Sequence, residues 1–487
     1  MNKLKSNKCL LIFNNIMKNY KIILTLSCAS FAIAAKAQSP YAHDRVYTAN
    51  QVSNSVSVVD PSTNTFLGEI KLGKPYPNVL SPLYKGQALV HGLRYSEAKK
   101  MLAVVSIGSN SVTLVSTETN KVIKTIYVGR SPHEPTFTPD SKQIWVSVRG
   151  EAYVSVIDVA KMQEVKQVQV ADGPGMIAFT PDGKLAYVCS SFTPEVDIVN
   201  TSNYKIIKKI PVVSPFSPNI FTSPKGEWIA MTHKDVGKVT VINTATQTVS
   251  KVLTTGAITN HVTFTYVKNK LMMLVTVGGE NKVRVFDVAQ DFKQTDTINV
   301  GALPHGLWPS ANGKLLYVGL EYGDQVQAID LETMKALQPV KIGQSPQALV
   351  YADHAVTDAA NKTGLSALND TAETQILTMK NPEQAGKAIG RIAVRPVGLA
   401  DLVEQIFSGL TPNTSYTLAL TRSNTAPYKL NYEINTFTTD TLGKYAGQST
   451  GLVKTINSTK NDGDYTHIVL IDQASKQTVL IDQALSK

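Results

Sequence analysis

The sequence is poor in cysteine, with three cysteines among 487 residues. Cys9 and Cys28 lie in a basic N-terminal segment that is described below, so Cys189 is the one cysteine in the rest of the chain. A single thiol cannot form an intrachain disulfide, even in an oxidising compartment. The folded protein must therefore be stabilised by its core alone. Cys189 lies on a predicted strand, where packing accounts for it better than catalysis does.

Motifs of several common functional classes are also missing. There is no glycine-rich phosphate loop, no Gly-x-Ser-x-Gly nucleophile elbow, no Cys-x-x-Cys-His haem attachment site and no calcium-binding loop. No His-x-His, His-Glu-x-x-His or Cys-rich spacing indicates a metal site. No reaction can therefore be assigned from a motif.

Long hydrophobic runs are absent as well. The apolar run at residues 22–35 is shorter than the roughly 20 residues that a membrane-spanning helix requires. Residues 1–37 contain six lysines and no acidic residue, and they end with Ala35-Lys36-Ala37. This pattern is typical of a signal peptide cleaved after Ala37, and it is less compatible with a permanent anchor or with lipid attachment at Cys28. We expect a mature protein without a transmembrane segment, exported to the periplasm or the cell surface.

The charge is modest once this leader is set aside. Removing six lysines lowers the formal net charge from +11 to about +5. No Lys/Arg run is interleaved with aromatic residues, so the lysines are expected to be scattered and solvated. These two observations argue against a nucleic-acid groove.

What the sequence does contain is a repeat, seen clearly in residues 315–343. An apolar strand, a polar loop, an alternating strand, a polar turn and a third strand recur seven times, mostly at steps of about 42 to 45 residues. The aligned strands contain Val46-Tyr47, Leu102-Ala103, Ile144-Trp145, Ala186-Tyr187, Trp228-Ile229, Met273-Leu274 and Leu316-Tyr317. Tight turns such as Thr-Pro-Asp-Gly-Lys at residues 180–184 separate strands within the copies. This period is typical of propeller blades.

Residues 46–73 and 179–188, with the repeats between and after them, resemble the YVTN family of β-propellers, which includes exported surface-layer-like and periplasmic proteins. The resemblance extends from residue 45 to about residue 352. It implies four strands per blade, with the innermost strand lining a central channel, and it implies no single activity. The first copy lacks an inner strand, and residues 345–351 after the seventh copy supply one, which predicts a closed ring.

The predicted fold class is all-β, with a seven-bladed propeller at residues 38–352 followed by a small β-sandwich-like domain. Residues 353–371 are rich in Ala, Asp, Asn and Thr and indicate a linker. Residues 372–487 return to short alternating runs, and the segment around Gly409 to Tyr416 is weakly similar to a fibronectin-III-like strand entry. A helix is predicted at residues 400–407.

Four histidines occupy one repeat position, where the chain enters an inner strand, and they are expected at one mouth of the channel: His91, His133, His261 and His305. Neutral imidazoles around an axis could bind a divalent metal or a small molecule, or act as general acids and bases. Equally, each imidazole could serve only to hydrogen-bond a neighbouring loop. Both interpretations remain open.

Loops between second and third strands are predicted on the same face, which makes that face loop-rich. They carry Arg149, Lys234, Asp235, Glu280, Glu321 and Tyr322. An insert of about fourteen residues, within residues 74–90, adds Tyr76 and Tyr84. It is expected to cover the channel, to contact a partner, or to be a tolerated surface insertion.

The preferred functional hypothesis is an exported binding or scaffold protein that presents its loop-rich face to a small-molecule or protein ligand. Its C-terminal domain could bind a cell-envelope component. The alternative is an enzyme, because a histidine, an arginine and a carboxylate around a channel resemble the groups of propeller lactonases and lyases. His133, Glu134 and Arg149 are the catalytic candidates. A metal-dependent redox protein with a divalent metal at the four histidines is the remaining version of this alternative.

Overall fold

The computed structural model describes residues 39–72, 88–368, 375–382, 388–397, 400–451 and 467–482. The described residues from Tyr41 onward belong to one compact unit. The fold class predicted from the sequence is confirmed, since a seven-bladed propeller is followed by a second all-β domain. The predicted signal peptide lies outside the described residues, so export stays a prediction. Within the part of the chain that the structure describes, no helix is long and apolar enough to cross a membrane.

Each blade is an antiparallel sheet whose innermost strand lines the channel, and in blades 2 to 7 this is the first strand of the blade. Blade 1 contains β1 (Arg45–Asn50), β2 (Ser55–Asp60) and β3 (Thr65–Lys71). Blades 2 to 4 contain β4 (Val90–Ser96), β5 (Met101–Ser106), β6 (Ser111–Ser116), β7 (Val122–Tyr127), β8 (Pro132–Phe137), β9 (Gln143–Val148), β10 (Tyr153–Asp158), β11 (Gln163–Gln169), β12 (Pro174–Phe179), β13 (Leu185–Ser190), β14 (Glu195–Asn200) and β15 (Lys205–Pro211).

Blades 5 to 7 follow the same order. They contain β16 (Ile220–Thr222), β17 (Trp228–His233), β18 (Lys238–Asn243), β19 (Thr248–Thr254), β20 (Thr259–Val267), β21 (Lys270–Val277), β22 (Lys282–Asp287), β23 (Lys293–Asn299), β24 (Pro304–Pro309), β25 (Leu315–Leu320), β26 (Gln325–Asp330), and an outer strand in two pieces, β27 (Lys335–Ala336) and β28 (Val340–Lys341). One turn of 3-10 helix, Gly278–Glu280, lies between β21 and β22.

The turns between first and second strands are stabilised by hydrogen bonds of their own side chains. In the turn at residues 180–184, the Thr180 hydroxyl donates to Asp182 Oδ1 at 2.6 Å, and the same oxygen accepts from the Lys184 amide at 3.1 Å. Gly183 has a φ of 70°, which an L side chain adopts only with strain. These tight turns lie on the face opposite the histidines, and the longer loops are left for the other face.

The ring closes as the sequence predicts. Strand β29 (Pro346–Ala352) is the innermost strand of blade 1 and pairs with β1, with Val46 opposite Tyr351 and Thr48 opposite Leu349. The last strand of the propeller thus completes its first blade. Leu349 and Tyr351 pack with Val46 and Tyr317 in the core between blades 7 and 1.

The C-terminal domain is one antiparallel sheet of eight strands, in the order β34-β33-β36-β37-β30-β31-β32-β35. The two edge strands, β34 and β35, lie close together, and Phe437 of β34 stacks on Tyr445 of β35 with 3.8 Å between ring centroids. The strands are β30 (Gln375–Lys380), β31 (Ile389–Val397), β32 (Ala400–Ser408), β33 (Ser415–Thr421), β34 (Tyr432–Thr438), β35 (Tyr445–Gly451), β36 (His467–Asp472) and β37 (Thr478–Asp482).

The helix predicted at residues 400–407 is wrong, because this segment is strand β32. Val403 and Phe407 point into the core of the C-terminal sheet, whereas Ile406, on the other face, packs against Leu303 and Tyr322 of the propeller. A strand that is apolar on both faces lacks clean alternation, and its spacing resembles that of an amphipathic helix. Pairing with β31 and β35 on its two sides decides its conformation.

The segment after β29 runs along blades 1 and 2. The carbonyl of Ala355 accepts from Thr117 Oγ1 at 2.6 Å, and that of Thr363 accepts from Asn120 Nδ2 at 2.9 Å. Ser366 then forms a β-bridge with Glu69 of β3. These contacts bind the predicted linker to the propeller.

Candidate functional site

Four histidine side chains converge at the channel mouth on the loop-rich face, and we call them the histidine ring: His91, His133, His261 and His305. They lie near the starts of the inner strands β4, β8, β20 and β24 and are between 4 and 8 % exposed. They form two neighbouring pairs, with ring centroids 4.4 Å apart for His91 and His133 and 4.9 Å apart for His261 and His305. The convergence expected from the repeat is therefore present.

Two of these imidazoles are oriented by the next blade. His133 Nδ1 lies 2.8 Å from the carbonyl oxygen of Gly175, and His305 Nδ1 contacts the carbonyl of Gln347. Both carbonyls belong to the equivalent repeat position one blade further on. Since a carbonyl only accepts, Nδ1 carries the hydrogen in each ring and Nε2 carries a lone pair. The loop-bonding role expected for the histidines is thus present in His133 and His305, where it leaves Nε2 available as an acceptor, whereas His91 Nδ1 has no hydrogen-bond partner among the described residues.

The ring is held in its neutral form. Burial lowers the pKa of His91 and of His305 to about 3, followed for His91 by the charges of His305, Arg149 and Lys234 and for His305 by the charge of Lys234. Burial, followed by the charges of other ring histidines and of nearby cations, holds the pKa values of His133 and His261 well below the usual range. At neutral pH the four imidazoles are therefore uncharged.

Two cations flank the ring on different sides. The charge of Arg149, from the β9–β10 loop, acts on His91 and His133, and that of Lys234, from the β17–β18 loop, acts on His91, His261 and His305. Burial lowers the pKa of both cations. Arg149 Cζ also lies over two phenyl rings, 5.1 Å from that of Phe216 and 5.8 Å from that of Phe192. The mouth therefore combines neutral imidazoles with positive charge.

Below the ring, large side chains of the inner strands meet across the channel. Arg94 Cζ lies 4.9 Å from the ring centroid of Trp308, and Phe221 packs edge-on against Trp308 at 5.1 Å. Met176 Sδ accepts hydrogen bonds from Arg94 at 3.5 Å and from Asn219 at 3.2 Å. These residues of blades 2, 4, 5 and 7 give the mouth a floor.

A buried carboxyl lies beside the ring. Glu134 is 1 % exposed, and its Oε2 lies 3.3 Å from Arg94 Nη1. Burial raises the pKa of Glu134 to about 7, although Arg94 opposes this shift. Its Oε1 has no hydrogen-bond partner among the described residues. Glu134 can therefore gain or lose a proton near neutral pH.

The C-terminal domain lies on the same loop-rich face. The Arg395 side chain, which is fully buried, forms ion pairs with Asp324 of the β25–β26 loop and with Glu404 of β32, the second at 2.6 Å. It also donates to the carbonyl of Glu321 at 2.6 Å. Burial, with the charges of Glu321 and Asp324, raises the pKa of Glu404 to about 7 despite the opposing charge of Arg395. Arg395 thus fixes one domain to the other.

Between the two domains is a cleft of about 720 Å³, which we call the interdomain cleft. The propeller contributes loops of blades 5 to 7, and the C-terminal domain contributes β32, β35 and the loop before β35. Lys234 and Glu321 line this cleft, and the charge of Lys234 also acts on the histidine ring. The cleft therefore adjoins the channel mouth.

Most of the site residues proposed from the sequence are brought together. Arg149, Lys234 and Glu321 lie in loops of the same face as the ring, and Glu321 Oε1 accepts from Gln347 Nε2 at 2.9 Å. Tyr76 and Tyr84 lie outside the described residues, so their role stays a prediction. The floor and the interdomain cleft were not foreseen, although the aromatic residues two or three positions after Asn219 and His305 were a signal for the floor.

The described parts of the chain contain no group of three or more His, Cys, Asp or Glu residues arranged to hold a metal ion. The positive charges of Arg149 and Lys234 next to the ring would also repel a divalent cation. The arrangement is better suited to a ligand that carries negative charge.

Comparison with known proteins identifies the propeller. The model of a family described as a YNCE-like beta-propeller matches residues 92–352, more than half of the chain. No curated protein matches the sequence.

Two solved structures resemble the chain. A functionally unknown protein from Desulfotomaculum acetoxidans has a TM-score of 0.54 and 12 % identity, covering 64 % of this chain and 99 % of its own. Hydrazine synthase from Kuenenia stuttgartiensis has a TM-score of 0.49 and 20 % identity, covering 54 % of this chain and 89 % of its own. At such identities neither structure indicates a function. The family match and the seven blades confirm the propeller recognised in the sequence, and the chain belongs to the YNCE-like beta-propeller family.

Proposed function

We propose that the protein is a binding protein that takes a small molecule into the interdomain cleft and the adjoining channel mouth. A β-propeller supports a binding or scaffold role in general, and the small-molecule role rests on the cleft itself. Its volume of about 720 Å³ lies within the range of roughly 300 to 1,000 Å³ that is usual for small-molecule sites.

The arrangement of the two domains supports a small ligand more than a protein partner. The C-terminal sheet occupies part of the loop-rich face through Arg395, and its Ile406 packs against Leu303 and Tyr322. A large partner would have to dock beside this domain. A small molecule can reach the walls of both domains at once.

Filling the cleft tests this proposal. Ala257 lines the cleft in the loop between β19 and β20, and Ala257→Trp places an indole there. We expect this variant to weaken binding of any ligand found in a calorimetric screen of small metabolites by roughly 10-fold or more, since the ligand loses its space. Ala152→Trp, in a loop of the same face that does not line the cleft, is the matched control. Equal affinities in the two variants would contradict the proposed site.

A second candidate function, acid-base catalysis, is favoured by Glu134. A carboxyl with a pKa of about 7 next to a neutral histidine is suited to proton transfer at neutral pH. If the protein hydrolyses lactones, we expect Glu134→Gln to lower kcat by about 10² to 10⁴ and to remove an inflection near pH 7 from the rate profile. Glu97→Gln, exposed on the opposite face, is the control. A rate that Glu134→Gln leaves unchanged would exclude Glu134 as the catalytic group.

A further inference from the structure

The cations of the loop-rich face fall into two groups. Arg94 is paired with Glu134, Arg395 with Asp324 and Glu404, and Arg284 with Glu280. The side chains of Arg149 and Lys234, in contrast, form no ion pair or hydrogen bond among the described residues, although burial lowers the pKa of both, and the charges of Glu321 and Glu404 act on Lys234 without forming an ion pair with it.

Leaving a shielded cation without a counter-ion costs free energy, and a bound anion would recover it. The shape of the site supports such a role for Arg149. Its guanidinium is held over the rings of Phe216 and Phe192, which fixes its position without neutralising its charge. Lys234 borders both the interdomain cleft and the histidine ring. An anion entering through the cleft therefore meets Lys234 first and Arg149 on the other side of the ring.

The imidazoles add a second requirement. In His133 and His305, Nδ1 donates to a backbone carbonyl, so Nε2 can only accept a hydrogen bond. An inorganic anion without hydrogen would offer these atoms nothing. A hydroxyl group would donate to them. The site is therefore suited to a ligand that carries both a negative charge and hydroxyl groups that can donate hydrogen bonds.

We propose that the channel mouth binds a small hydroxylated organic acid, whose carboxylate is neutralised by Arg149 and Lys234 and whose hydroxyl groups donate hydrogen bonds to Nε2 atoms of the histidine ring. This inference rests on the proposed function, because it names the class of ligand for the same site. Trp308 and Phe221 of the floor offer flat apolar surfaces to the carbon chain of such a ligand.

Three compounds of six carbons separate the two requirements. Gluconate carries a carboxylate and hydroxyls, hexanoate carries the carboxylate alone, and sorbitol carries hydroxyls alone. In calorimetry with the full chain at neutral pH, we expect gluconate to bind at millimolar concentration or below, and the other two to bind at least about 10-fold more weakly. Raising the salt concentration should weaken gluconate binding.

Variants assign the contacts. Arg149→Gln and Lys234→Gln should each weaken gluconate binding by roughly 10-fold, and His305→Gln should weaken gluconate but not hexanoate. Lys142→Gln, exposed on the opposite face, should change neither affinity, and melting curves establish that each variant is folded.

The outcomes also separate this inference from the proposed function. If sorbitol bound as tightly as gluconate and Ala257→Trp weakened both, the requirement for an acid would be contradicted. The proposal of a small-molecule site would then still stand. Failure of gluconate to bind, or gluconate binding that neither cation variant weakens, would also overturn the inference.

Discussion

Acidification below about pH 6 is expected to destabilise the protein, by roughly 1 to 3 kcal/mol per pH unit. The cause is the set of buried neutral histidines, the four of the ring together with His233, whose pKa burial lowers to about 4. Their folded-state pKa values lie below the unfolded value of about 6.5. Their contribution to stability is therefore complete above pH 6.5 and is lost as the pH falls.

Five carboxyls among the described residues act in the opposite direction, and they include Asp197 and Asp482, whose pKa values burial also raises. Burial raises the pKa of Glu134 and of Glu404 to about 7 and that of Asp353 to about 6, so their contribution is present at low pH and is lost as the pH rises. Each group that titrates contributes about 1.4 kcal/mol per pH unit. Below about pH 5.5 the five histidines are protonated in the unfolded chain and remain neutral in the folded protein, and the carboxyls offset only part of this difference, so unfolding takes up roughly one to two protons there.

Urea unfolding at several pH values and constant ionic strength measures this slope. His305→Gln should reduce the slope by about 1.4 kcal/mol per pH unit, because it removes one buried group that takes up a proton on unfolding. Glutamine is a suitable replacement, since residue 347 is a glutamine at the same repeat position of blade 1. His354→Gln is the matched control, since the His354 side chain is 71 % exposed. A stability that stays level or rises on acidification would show that the ring is not held neutral by burial.

Replacing Arg395 by methionine is expected to cost roughly 3 to 5 kcal/mol of stability at neutral pH. Arg395 and Glu404 are fully buried, and the substitution would leave Glu404 and Asp324 without their counter-ion. Because the pKa of Glu404 is about 7, the loss should shrink at pH 5, where this carboxyl is protonated. Chemical denaturation at the two pH values measures both effects.

Two further variants show whether the charge network is responsible. Arg391→Met makes the same substitution in the same strand, at a residue with no ion pair among those described, and should change stability by less than about 0.5 kcal/mol. A triple variant, Arg395→Met with Asp324→Asn and Glu404→Leu, should recover much of the loss, since no buried charge remains unpaired and an asparagine at residue 324 still tolerates the φ of 52° and accepts from the Ser345 amide. If the triple variant were less stable than Arg395→Met alone, packing and not charge would hold the domains together.

The propeller was predictable because each blade repeats the same local chemistry. Turns such as residues 180–184 are stabilised by hydrogen bonds within the turn. The alternation of apolar and polar residues within strands such as β10 indicates which face of the strand is buried. The pattern of one blade is weak evidence for a propeller, but its seven repeats together are strong evidence. The missing inner strand of the first copy and the extra strand after the last even revealed how the ring closes.

Features that depend on contact between the domains were not predictable. Strand β32 was mistaken for a helix because Ile406 is buried against the propeller, and nothing local to residues 400–407 records that contact. For the same reason Arg395 and its partners Asp324 and Glu404, far apart in sequence, were missed. The histidine ring was found because all its members occupy one repeat position. The floor was missed because its residues differ in type between blades.

The closure of blade 1 by β29 also has a consequence for folding kinetics. Val46 and Tyr351 pair although they lie about 300 residues apart in the chain, and contacts of such long range form slowly. Until residues 346–352 have been synthesised, β1 has an unpaired inner edge that can pair with another chain. The segment that follows, bonded to Thr117, Asn120 and Glu69, then holds the closing strand in place. Misassembly should therefore be most frequent in the interval before β29 is complete.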